Sequence, residues 1–231
     1  MTAIVFLPGM MCDARLFAPQ IAALSARHTV SVAPVDGFQT MTELAQDVLT
    51  NAPPRFALAG LSMGGILAME VARLAPERVI GLALMDTNPL AELEAVKAKR
   101  GPQIDKVKAG GLRDVMRDQM IPNYLAEGSD ATALEPLCEE MALALGNDVF
   151  VNQSIALRDR PDQTDTLKAY TAPALVLCGE EDRLCPIERH TLMHDLLPNS
   201  TLNILPNAGH LPTLEQPEAT TEALKIWLET L

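Results

Sequence analysis

Short apolar runs rich in β-branched residues alternate with longer amphipathic stretches along most of this chain. That alternation narrows the fold to a parallel sheet covered by helices. Runs at 3–7, 29–35, 56–59, 79–85, 174–178 and 201–205 predict six strands, with helices near 14–26, 41–51, 63–74, 187–197 and 218–230. Sequential strands at this spacing require right-handed crossovers, which produce an open twisted sheet of the α/β class. The alternation breaks once. From 88 to about 168 only helical patterns occur, punctuated by Gly101-Pro102, Gly110-Gly111, Pro122, Gly128 and Pro136. Because the strands resume afterwards in the same style, this stretch reads as a helical cap inserted into a single domain spanning 1–231.

Composition removes several function classes. Hydrophobic residues make up 48% of the 231, which excludes a disordered or fibrous chain. The net charge of −12 repels phosphate backbones and anionic lipid, so neither nucleic acid nor a membrane surface is expected as a partner. The N-terminal apolar run carries no basic residues before it. Pro8 and Gly9 end it short of a signal peptide or a membrane span, which places the protein in the cytoplasm as an expectation. Cys12, Cys138, Cys178 and Cys185 lack zinc-type pairing and read as free thiols, with Cys12 and Cys185 beside the motifs below.

The most informative segment is Gly60-Leu61-Ser62-Met63-Gly64, a Gly-x-Ser-x-Gly at the exit of an apolar strand and the start of an apolar-faced helix. A serine on a sharp strand-to-helix turn projects its hydroxyl away from the sheet, and side chains two positions either side would collide. The helix that follows brings a positive dipole end and free N–H groups to the same place. Ser62 is the expected nucleophile.

A serine needs a base, and four histidines exist: His28, His190, His194 and His210. His28 precedes a strand. His190 and His194 lie four apart on a helix without a companion carboxylate motif, and read as a solvated face. His210 lies between the last strand and the last helix, where ligand and catalytic groups gather in open α/β sheets. The imidazole in turn needs a carboxylate to fix its tautomer. Asp182, directly after the fifth strand, fills that role by position. Glu180 and Glu181 are its neighbours, and Asp86 at the end of the fourth strand is a rival.

These segments, in the order Ser, Asp, His, resemble the α/β-hydrolase superfamily. The similarity covers nearly the whole chain: the serine turn, the Gly-x-x-Asp-x-x-x-Pro of Gly179 to Pro186, Gly209-His210 before the final helix, and a cap between the fourth and fifth strands. Within the superfamily the chain is similar to small capped carboxylesterases, enol-lactonases and cofactor-free haloperoxidases. The resemblance implies that the first strand here is the third of the full family sheet, leaving about six mostly parallel strands without the two N-terminal ones. It also implies oxyanion donors at the backbone N–H groups of Met10 and Met63, with Pro8-Gly9 in place of the usual His-Gly.

The constellation supports acyl transfer to water on a small-molecule ester, lactone or thioester, with neither metal nor organic cofactor expected. A carbon–carbon bond hydrolase or a perhydrolase-type haloperoxidase could use the same three residues, and a non-catalytic ligand-binding protein could keep the fold. Oligomeric state is left open. Met10, Met63 and Cys12 are expected in the pocket, where methionine adapts to irregular apolar shapes. From Lys97 to Arg117 the cap carries seven basic and two acidic residues. A solvated face explains them. The alternative is that Arg113 and Arg117, four apart on one helical face, grip an anionic substrate.

Overall fold

The computed structural model describes residues 1–231. Its strands are β1 (Ala3–Leu7), β2 (Thr29–Val32), β3 (Phe56–Leu61), β4 (Val79–Met85), β5 (Ala174–Gly179) and β6 (Ser200–Leu205). They form one sheet in the order β2-β1-β3-β4-β5-β6, parallel throughout. The register aligns Ile4 with Ala57, Leu58 with Leu82, and Val176 with Leu202. Every residue of β3 and β5 is buried, as apolar runs covered on both faces must be, whereas no residue of the edge strands β2 and β6 is fully buried. Strand β2 ends at Val32, short of the expected residue 35. Ala33 still donates its N–H to Phe6 O at 3.0 Å, but Pro34 has no N–H with which to continue the ladder.

The helices are α1 (Ala18–Leu24), α2 (Met41–Asn51), α3 (Met63–Leu74), α4 (Glu94–Lys108), α5 (Leu112–Val115), α6 (Ala131–Leu145), α7 (Asn147–Arg158), α8 (Thr164–Ala169), α9 (Ile187–Leu196), α10 (Pro212–Glu215) and α11 (Pro217–Leu228). A 3-10 turn at Ala14–Phe17 precedes α1 and a π turn at Met116–Met120 follows α5. Helix α3 packs against β1, β3 and β4, with α2 and α8 beside it and α9 next to α8; α1 and α11 pair on the opposite side of the sheet. Burial of apolar side chains from both layers supplies the main stabilisation.

Between β4 and β5 the chain forms α4 to α8. The Gly101-Pro102 pair and Pro136, read in the sequence as punctuation, instead lie inside α4 and α6. Both prolines are exposed, so the carbonyls they leave unbonded face water. The buried stripes Ile104–Val107 and Cys138–Met141–Ala142 hold each helix in place against the core. No helix of the chain is long and apolar enough to cross a membrane.

Candidate active site

The strand order reverses direction between β1 and β3: β2 lies on one side of β1, and β3 and all later strands lie on the other. A crevice opens at the carboxyl ends of the strands at such a switch point. Four non-glycine residues have left-handed backbone: Met11 (φ 56°), Ser62 (φ 54°), Asp86 (φ 43°) and Asn207 (φ 55°). Each follows the carboxyl end of a strand, β1, β3, β4 and β6 respectively. Strain of this kind persists only where the surroundings over-determine it, and here it rings one edge of the sheet.

Ser62 caps the N-terminus of α3 without spending its hydroxyl on the helix. The turn is tight enough that a Cβ at Gly60 would strike the backbone of Gly64, and one at Gly64 would strike the backbone of Leu7. The glycines of the motif are therefore required by close approach.

Ser62 Oγ lies 2.9 Å from His210 Nε2, and His210 Nδ1 lies 2.9 Å from both oxygens of Asp182. An ionised carboxylate only accepts, so Nδ1 carries the proton and Nε2 is left to accept from the serine. Asp182 Oδ1 also accepts from the N–H groups of Leu184 at 2.8 Å and Cys185 at 3.0 Å. Burial alone would raise this carboxyl, but the His210 imidazole and those two N–H donors hold it below its usual range. The structure thus brings Ser62, His210 and Asp182 into one hydrogen-bonded line. Of the rival acids, Glu181 accepts from the Glu127 N–H, and Asp86 accepts from the Gly179 N–H at 2.9 Å.

Gln153, Glu215 and Tyr124 brace the loops that carry this site. Gln153 of α7, 1% exposed, accepts the Met11 N–H at 2.9 Å and donates to Val35 O at 2.5 Å. It ties the loop after β1 to the helical insertion. Gly9 of that loop packs beside the Ser62 Cβ. The N–H groups of Met10 and Met63 donate no hydrogen bond within the protein, Met63 because it opens a helix. Glu215 accepts the N–H groups of both neighbours of His210, Gly209 at 3.0 Å and Leu211 at 3.0 Å. The His210 N–H itself donates to Tyr124 O at 2.7 Å.

A cavity of about 550 Å³ opens over Ser62 and His210. Met10 and Cys12 line it, but Met63 is fully buried in the core and contributes no side chain to the wall. The anion grip imagined for Arg113 and Arg117 is not formed. Neither lines the cavity; Arg113 pairs with Glu139, and Arg117 with Asp114 at 3.0 Å and Asp118 at 2.7 Å. The π turn that begins at Met116 breaks the helical repeat on which their shared face depended.

His190 also departs from its expected place on a solvated face. It is fully buried, with Nε2 accepting the Thr87 N–H at 3.0 Å and Nδ1 at 3.3 Å from Pro186 O, because α9 turns this side towards the sheet. His194 is half-buried and meets Ser200 Oγ at 2.8 Å. Asp182, Cys185 and His210 offer ligand atoms within 4.8 Å of one another. The Asp182 oxygens and His210 nitrogens are already engaged with each other and with Ser62.

Comparison with known proteins gives the family and the fold. The alpha/beta hydrolase family model matches residues 4–223, and the chain belongs to that family. Among curated relatives, the pimeloyl-(acyl-carrier protein) methyl ester esterase of Salmonella agona is 28% identical over 200 residues, covering 81% of this chain and 75% of that one. Among solved structures, a thermophilic esterase from Thermogutta terrifontis with malate bound superposes with a TM-score of 0.91 at 28% identity, covering 99% of this chain and 90% of that one. The enol-lactonase from Burkholderia xenovorans shares the fold at a TM-score of 0.86 and 22% identity, over 99% of this chain and 91% of that one.

Proposed function

We propose that this chain is a serine hydrolase of small carboxylic esters, working through an acyl-enzyme on Ser62. The observation that carries the reading is the unbroken line from Ser62 Oγ through His210 to Asp182, set on a strained turn beneath a cavity. In the first half-reaction Ser62 Oγ attacks the carbonyl carbon and its proton passes to His210 Nε2. The Met10 and Met63 N–H groups, free of other partners, take the developing oxyanion. The bond from the carbonyl carbon to the leaving oxygen then breaks, and His210 returns the proton to the departing alcohol. In the second half-reaction His210 deprotonates water, which attacks the acyl group, releases the acid and restores the serine. Asp182 keeps Nδ1 protonated throughout and stabilises the imidazolium.

Lactones and thioesters meet the same chemical requirement, and the cavity volume suits a small molecule. Esterase activity in relatives at 28% identity supports a simple ester as the starting class. The test is turnover of p-nitrophenyl esters of graded chain length by the wild type and by Ser62→Ala. Turnover that disappears with the hydroxyl supports the reading. Equal turnover by both proteins contradicts it.

A further inference from the structure

The charged side chains lining the cavity are of nearly one sign. Lys99, Arg100, Arg160 and Arg189 face Glu92, four cations against one carboxylate, within a chain whose net charge is −12. They come from three separate segments: Lys99 and Arg100 from α4, Arg160 from the turn after α7, and Arg189 from α9. Glu92 lies between two of them, with Oε2 at 2.5 Å from Arg100 Nε and Oε1 at 2.6 Å from Arg160 Nη1. The side chains of Arg100, Arg160 and Glu92 are 11%, 6% and 5% exposed.

Glu92 satisfies only part of this charge. Nη2 of Arg100 and Nη2 of Arg160 donate no hydrogen bond within the protein, and Arg100 Nη1 reaches only Met10 Sδ at 3.9 Å. Neither Lys99 nor Arg189 has an ion pair, although the chain holds 30 acidic residues against 18 basic ones. Arg160 and Arg189 both act on the thiol of Cys185, which burial and the carboxylates of Asp182 and Asp86 drive well above its ordinary value and the two guanidiniums pull back down. Cys185 Sγ in turn lies within 4.8 Å of ligand atoms of Asp182 and His210. Arg160, paired with Glu92, and Arg189, without an ion pair, line the same cavity as Ser62 and His210. Low-dielectric walls strengthen such a field relative to the surface.

We infer that the wall formed by Lys99, Arg100, Arg160 and Arg189 is an anion subsite, and that the substrate is an ester carrying a second, free carboxylate. This inference rests on the ester-hydrolase reading and specifies its substrate class. A carboxylate is the group that Arg100 and Arg160 already hold through Glu92, and planar guanidinium forks match it edge to edge. The location differs from that suggested by the linear sequence, since Arg113 and Arg117 take no part.

The test compares monomethyl succinate, glutarate and adipate with their neutral dimethyl esters, using wild type, Arg189→Gln, Lys99→Gln and Arg189→Lys. Arg189 and Lys99 are chosen because neither supports a buried partner, so their loss does not strand Glu92. The expected result is a kcat/KM about tenfold or more higher for at least one monoester than for its diester, with the ratio falling about tenfold in Arg189→Gln and partly restored in Arg189→Lys. A preference for the neutral diesters, or a ratio that Arg189→Gln leaves within about twofold, overturns the subsite. Labelling of Ser62 by a fluorophosphonate on the same samples separates the two claims. Labelling with a flat ratio removes the subsite and leaves the hydrolase. If neither labelling nor turnover occurs, the hydrolase reading fails, and calorimetric titration of glutarate into Ser62→Ala decides the subsite. Binding about tenfold weaker in Ser62→Ala/Arg189→Gln retains it, and equal or absent binding overturns it.

Discussion

His210 Nδ1 sits 2.9 Å from each oxygen of Asp182, so the carboxylate faces the imidazole squarely while two backbone N–H groups pin its Oδ1. An amide at this position would present an N–H to Nδ1 and favour the wrong tautomer. Asp182→Asn should therefore lower kcat by about three to four orders of magnitude without unfolding the protein. Circular dichroism and ester turnover on one sample check both halves. Full activity in the variant would contradict the assignment of the acid.

Asp86 supplies the contrasting carboxyl. Its Oδ2 is buried without a partner, and burial together with the nearby Asp182 charge raises this group well above the usual carboxylate range. The sign of the pH effect follows. Below the unfolded value Asp86 is protonated in both states, and as pH rises the unfolded chain ionises first, so stability declines. Asp86→Asn keeps an acceptor for the Gly179 N–H and removes that decline. It should raise Tm above pH 7 relative to wild type while leaving ester turnover within about an order of magnitude. A lower Tm at every pH would contradict a neutral Asp86.

Burial drives His190 in the other direction, down to about 4, with Asp182 opposing and Pro186 O opposing more weakly. Above the ordinary histidine value the ring is neutral in both states. As pH falls below about 6.5 the unfolded chain takes up the proton first, so stability drops, by about 2 kcal/mol on reaching about pH 5. His190→Gln should flatten this fall in urea titrations at several pH values. Parallel curves for the two proteins would remove His190 as the cause.

Gln153 connects α7 to the loop that carries Met10. Replacing it by leucine breaks the hold on Met11 while filling the same space. The expected outcome is a fall in kcat of about one to two orders of magnitude, with KM changed much less, because the oxyanion exists only in the transition state. Steady-state kinetics separate the two parameters, and a pure KM effect would point to substrate contact instead.

Much of the frame is legible in the sequence because local and global preferences agree there. The ranges of β1, β4, α2 and α3 coincide with their apolar patterns, and the serine turn announces itself through Gly60 and Gly64. The departures share one physical origin. Pro102 and Pro136 read as breaks because local propensity opposes them inside helices, yet packing of neighbouring apolar residues overrides that preference. The i,i+4 spacing of Arg113 and Arg117 assumes an uninterrupted helix that the π turn does not supply. Gln153 and Arg160 act through neighbours distant in the chain, so no local pattern marks them.

The most direct measurement is covalent. A fluorophosphonate needs an activated hydroxyl and a formed oxyanion pocket, and it forms a stable bond with the attacking oxygen, releasing fluoride. Intact-mass and peptide analysis of the treated protein should show stoichiometric addition on Ser62. The rate should fall by about three orders of magnitude or more in His210→Ala, and no adduct should form in Ser62→Ala. An adduct on another residue, or equal labelling of the wild type and Ser62→Ala, would contradict the assignment of Ser62 as the nucleophile.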